Sequence, residues 1–178
     1  LSSVGVGFGF VPHRSTAGTM ALAANALACL GSGGVLSHAP RRAQSMMMMI
    51  DAFEVEGITE IAVDSIFMMP HLGVLSTVHP AAATEVFTKD CLIRLGTCVA
   101  PIGRVRRGQP MCQVELTMSD GSRVDESLAA GALRLVALGE GEEAKAVITP
   151  ARRVDVGAGP GQRVERTLRG GVVGLVFD

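Results

Sequence analysis

The chain has 178 residues, with 16 basic and 17 acidic side chains; 48% of its residues are hydrophobic and 19% charged, and its mean hydropathy is +0.37. That is enough for one domain or two small ones with a real hydrophobic core, and it excludes a disordered, solvated chain. A net charge of −1, with six Phe and no Trp or Tyr, offers nucleic acid neither bulk attraction nor many surfaces for base stacking, and gives no pull toward an anionic membrane.

Residues 1–18, with Gly5, Gly7, Gly9 and Pro12, keep no stable period and read as an irregular lead-in. Arg14 followed by Ala21 to Cys29 has the look of a signal segment. Asn25 interrupts that apolar run, and the glycines from Gly31 end it short of the ~20 residues a membrane span needs. The expectation is therefore a cytoplasmic chain with no membrane partner. The small apolar residues of Met20 to Leu30 could make a short helix feeding a buried strand, and periodicity alone does not separate helix from strand.

After the turn Gly31-Ser32-Gly33-Gly34, Arg41 to Phe53 is expected to be a helix, with Pro40 suited to its start and Gly57 closing it. Ala43, Met46, Met47 and Ile50 form one stripe, while Met48, Met49 and Phe53 fill the other side. A helix apolar nearly all round is buried on both flanks or docks a partner, and burial in a layered domain is the simpler reading. Ile58 to Asp64 suits an interior strand, Ile66 to Met69 is a second apolar run stopped by Pro70, and Pro80 to about Cys91 is a further helix. Strand, glycine turn, helix, strand, helix is the rhythm of an α/β unit, whose ligand site is expected at the carboxyl ends of the strands.

Beyond Pro101-Ile102-Gly103 the pattern changes to short β-type runs: Met111 to Met118, Leu133 to Leu138 and Ala144 to Ile148, with Asp120-Gly121 as the strongest hairpin turn. The expected organisation is an α/β portion over residues 19–98 and a small β-rich module over 99–178. Arg104, Arg106 and Arg107 lie in the connection, where a solvated loop is the default.

Few residues are placed for chemistry. Gly31 to Gly34 could let a ligand approach the main chain, or could merely reverse it; without a Walker lysine or GxGxxG spacing the two readings stand level. Gly157-Ala158-Gly159-Pro160-Gly161 fits a loop between strands better than an anion site, because Pro160 removes a donor. Asp64 could orient a metal or water, or cap the turn after its strand. Cys29, Cys91, Cys98 and Cys112 lack zinc spacing and read as buried or idle thiols; His38, His71 and His79 keep no ligand spacing either. No metal is expected in this chain.

The string Gly31-Ser32-Gly33-Gly34-Val35-Leu36-Ser37-His38-Ala39-Pro40-Arg41-Arg42-Ala43-Gln44 is followed by Ile50-Asp51-Ala52-Phe53, Val63 to Pro70 and Leu72-Gly73-Val74-Leu75. With Asp155 to Gly161 and Arg169 to Leu175, these strings strongly resemble the glutamate mutase L family, the methylaspartate mutase accessory proteins, over about residues 26–178. This is not the mismatch-repair protein of similar name. The resemblance implies the carboxyl-terminal part of a longer protein of the actin, heat-shock protein 70 and sugar kinase ATPase superfamily. On that implication the fold is mixed α/β, part of an actin/ribonuclease H-like lobe followed by the β-rich module.

The resemblance further implies an ATP-dependent accessory or reactivating factor for an adenosylcobalamin-dependent mutase. Gly31, Ser32, Gly33 and Gly34, with Asp64, would then be cofactor-binding residues on the adenosine side of an ATP site. Magnesium would belong with ATP in the whole protein, and cobalamin would be met only through the mutase subunits. The phosphate-binding strand turn of such ATPases has no counterpart in this chain, so hydrolysis by it alone is not expected and no catalytic residue is assigned. The alternative is a non-catalytic interaction domain of a mutase complex, with no nucleotide contact.

Overall fold

The computed structural model describes residues 19–23 and 26–178, and side chains from residue 28 onward. The lead-in read over residues 1–18 lies outside the described residues. The stretch that periodicity left open is two strands, β1 (Thr19–Ala23) and β2 (Ala26–Gly31), paired antiparallel. A single turn of helix, α1 (Gly34–Ser37), and the long α2 (Arg42–Phe53) then carry the chain to β3 (Gly57–Asp64), which runs parallel to β2.

The expected helix is thus present. Its N-terminus is set by Arg41, whose N–H donates to Gln44 Oε1 at 3.1 Å, one residue beyond the proline. It ends because Glu54 turns left-handed at φ 45°, three residues before Gly57. Ile66 to Met69 is not a separate extended run. It is a turn leading into α3 (Met69–Leu75), where Pro70 is tolerated in the first turn. α4 (Pro80–Val86) runs into a π-helical turn, Phe87–Cys91, and then into β4 (Leu92–Ala100), antiparallel to β3.

The second half builds β5 (Ile102–Gly103), β6 (Pro110–Met118), β7 (Arg123–Ala129), β8 (Arg134–Val136), β9 (Glu143–Pro150), β10 (Val154–Asp155), β11 (Val164–Arg169) and β12 (Gly174–Phe177). A four-stranded antiparallel sheet has the order β11-β9-β6-β7, and β5 pairs with β10 in a short ribbon. The β6–β7 hairpin turns at Asp120-Gly121 as expected: Gly121 takes φ 83° and Ser122 N–H donates to Asp120 Oδ1 at 2.8 Å.

The six-stranded sheet has the order β1-β2-β3-β4-β12-β8. β8, which holds most of the run Leu133 to Leu138, therefore belongs to this sheet and not to the four-stranded one. β12 lies between β4 and β8, parallel to the first and antiparallel to the second. A boundary at residue 98 falls inside β4.

Two cores cover the two faces of this sheet. On one, Met46, Met49 and Ile50 of α2 meet Ile61, Val63, Leu95, Cys98 and Val176. On the other, Val99, Leu175 and Phe177 meet Val114, Leu116, Ala146, Ile148 and Leu168 of the four-stranded sheet. Leu175, Val176 and Phe177 alternate between the two cores, as the two-residue period of a strand requires. The methionine-rich helix is thus a core element. Each fully buried Met or Ile contributes roughly 1.5–3 kcal/mol of apolar transfer free energy.

Candidate functional site

β2 and β3 are parallel neighbours, joined through α1 and α2, and their register pairs Gly31 with Val63. Their carboxyl ends therefore emerge side by side. The glycine turn leaves one and Asp64 stands at the end of the other, in the position where open α/β units hold ligands. The structure brings all five expected residues, Gly31, Ser32, Gly33, Gly34 and Asp64, into this one corner.

They do different things there. Gly31 is buried, and a methyl group in its place would lie 2.7 Å from both Leu36 Cδ1 and Met49 Sδ. Its smallness serves the packing of α2 against β2. Gly33 has φ 141°, which L side chains rarely adopt, and neither Gly33 nor Gly34 has any atom within 4 Å of where a side chain would begin. Main chain flanked by open space at the end of a buried strand is what a planar ligand needs for close approach. Ser32 is exposed at the entrance.

Asp64 is fully buried and its carboxylate is a hub. Oδ2 accepts the Ser32 hydroxyl at 3.0 Å and the Met69 N–H at 2.7 Å; Oδ1 accepts the Met68 N–H at 3.1 Å and, more distantly, the Ile66 N–H at 3.4 Å. It therefore caps the turn that follows β3 and ties that turn to the glycine loop. With both oxygens engaged by the protein, its fit is to positioning rather than to metal ligation. Among the described residues no group of three or more His, Cys, Asp or Glu could hold a metal ion.

Three side chains that pattern reading did not single out complete the scaffold. Ser37 Oγ donates to the Asp64 carbonyl at 2.6 Å, Ser45 Oγ to the Leu36 carbonyl at 2.9 Å, and Arg42 Nη1 to the Ser37 carbonyl at 3.1 Å. Ser37 and Ser45 are buried, so these bonds also satisfy polar groups that water does not reach. Nothing in the local pattern marks the two serines: Ser37 is followed by His38, and Ser45 comes directly after Arg41-Arg42-Ala43-Gln44. His38 Nδ1 lies 3.0 Å from the Gly34 carbonyl, while His71 and His79 are exposed elsewhere.

The second glycine cluster is a self-contained loop at the other end of β3, where a Cβ on Gly57 would lie 3.3 Å from the Val156 carbonyl oxygen. Asp155 Oδ1 accepts the N–H groups of Gly157 at 2.7 Å and Gly159 at 2.9 Å. Those two bonds hold its carboxyl below the usual range and use donors that an anion would otherwise take.

Residues 22–91 match the model of the MutL protein family, the glutamate mutase L family. The matched stretch contains the glycine loop, α2, Asp64 and the helices that follow it. Comparison with curated proteins and with solved structures finds no match. Among the described residues, no helix is long and apolar enough to cross a membrane.

Proposed function

We propose that this chain supplies the adenosine-facing half of an ATP site in an accessory or reactivating factor for an adenosylcobalamin-dependent mutase. The observation that carries the reading is the open main chain at Gly33 and Gly34, fixed through Ser32 to the buried Asp64 within the stretch that matches the glutamate mutase L family model. In such a factor, ATP supplies the free energy that favours one arrangement of the mutase complex over another, because a ligand shifts an equilibrium only by its differential affinity for two states. The residues of this chain hold and orient base and ribose. Phosphate and magnesium belong to parts of the site that these residues do not form, and cobalamin stays with the mutase subunits.

Titration calorimetry of the full-length protein with ATP tests the assignment. Gly34→Arg places a long side chain in the open space without the backbone strain of position 33, so at least tenfold weaker ATP binding with an unchanged thermal midpoint is expected. Gly33→Arg should weaken ATP binding too. Equal affinity for wild type and both variants sinks the reading of the loop.

A second reading has its own support. Val35 follows the glycine loop, Val74 lies in α3 and Val78 just beyond it, all strongly exposed. Large apolar side chains in that number suit an interaction domain of a mutase complex with no nucleotide contact. Retained ATP affinity in Gly34→Arg, together with loss of co-elution with mutase subunits in Val74→Asp, would favour it.

A further inference from the structure

Phe67 stands in the turn that Asp64 caps. Among the described residues it is the one exposed phenyl ring, at 45% exposure: Phe53 and Phe87 are half-buried, Phe177 is fully buried, and the chain contains no Trp or Tyr. Its backbone is left-handed, with φ 58°. For a bulky L residue that conformation is disfavoured and persists only where the surroundings dictate it.

The surroundings do dictate it. Asp64 accepts the N–H groups of Ile66, Met68 and Met69, on both sides of Phe67, and the Ser65 N–H donates to the Cys91 carbonyl at 2.8 Å. A glycine would hold this turn without strain. Instead a ring is kept there, half in solvent, next to an exposed Ile66. The carboxylate that fixes the ring's turn also fixes Ser32, so the turn and the glycine loop are anchored to the same group.

From this we infer that Phe67 is the stacking surface for the base of a purine nucleotide held at the Gly31–Gly34 loop. The inference rests on the nucleotide reading above and adds the residue that recognises the base. A flat apolar ring offers a purine a face-to-face contact that is indifferent to the phosphates. It makes binding sensitive to the presence of the base, whereas the loop's main chain only makes room for it.

Three variants of the full-length protein test it. Phe67→Ala and Phe67→Gly should each bind ATP about tenfold more weakly, the usual consequence of losing a base-stacking aromatic. Phe67→Gly should also melt no lower than wild type, because it relieves the left-handed strain, so weaker binding is not mistaken for unfolding. Phe67→Trp, made in a background with every other Trp replaced by Phe, gives a single tryptophan whose fluorescence should be quenched by ATP but not by tripolyphosphate. ATP affinity within twofold of wild type in both Phe67→Ala and Phe67→Gly, or an unquenched tryptophan in a variant that binds ATP, overturns the role of Phe67 alone. No ATP binding by wild type overturns the nucleotide reading, and this inference with it.

Discussion

All four cysteines are buried and unpaired, and burial governs their chemistry. Cys29 and Cys112 are pushed up to about 11 and Cys98 to about 12, the last helped by the negative charge of Asp178; Cys91 is raised by burial and then by Asp64 and Asp90. Held protonated by burial, these thiols are poor nucleophiles at neutral pH. Ellman's reagent should therefore react slowly with the folded protein and reach four thiols only after denaturation. The raised values also set a pH window. Below the ordinary thiol pKa, near 8.5, both folded and unfolded chains keep their protons and the stability is fully present. Between there and about 11–12 the unfolded chain ionises first, so stability falls as pH rises. The urea midpoint should decline across that alkaline range and decline less in Cys98→Val. The spacing of the four cysteines argued against metal sites and disulfide frameworks, which need pairings these positions lack, and their burial followed from the habit of free Cys to act as a small core residue.

Among the elements, α2 and β3 were legible almost to the residue, since each carries its own period and stop signals. Gly31 is more instructive. Its place in a glycine-rich turn reads as ligand access, but its missing side chain is filled by Leu36 and Met49, and only Gly33 and Gly34 face open space. Local pattern distinguishes glycine from other residues; it does not say whether the space belongs to a ligand or to a neighbouring helix. A double-mutant cycle makes that distinction measurable. Gly31→Ala should cost about 1–3 kcal/mol from overpacking and Met49→Ala about 2–5 kcal/mol from the cavity, by chemical denaturation. The double variant should lose less than the two combined, because each change makes room for the other. Full additivity would mean that Met49 does not constrain Gly31. The network of Ser37, Arg42 and Ser45 was not legible for a related reason: its acceptors are the main-chain carbonyls of Asp64, Ser37 and Leu36, which carry no side-chain signal, and the bond from Ser37 to Asp64 forms only once the end of β3 lies beside α1.

For the whole molecule, the main departure from pattern reading is the distribution of strands between sheets. A short apolar strand looks the same whichever sheet receives it, so Leu133 to Leu138 gave no sign that β8 joins the sheet containing β2 and β3. The glycines of Arg169 to Leu175 explain how the chain returns there. A Cβ on Gly96, at φ 143°, would collide with the Gly174 carbonyl oxygen; one on Gly171 would lie 2.5 Å from the Leu95 carbonyl carbon, and one on Gly174 2.6 Å from the Val136 carbonyl oxygen. Gly96→Ala should therefore prise β4 from β12 and cost more than about 4 kcal/mol, beyond the usual range for one substitution, measured by urea unfolding or seen as insoluble protein. A soluble variant within 1 kcal/mol of wild type would contradict this packing. The same crossing places a demand on synthesis. The Thr97 hydroxyl waits for the Arg169 carbonyl, 72 positions downstream. At ordinary ribosomal speeds the nascent β4 spends about 4–15 s with that edge unpaired, open to pairing with another chain. In the cell, yield should depend on how that interval is protected, by chaperones or by low temperature, more than on the stability of the finished fold.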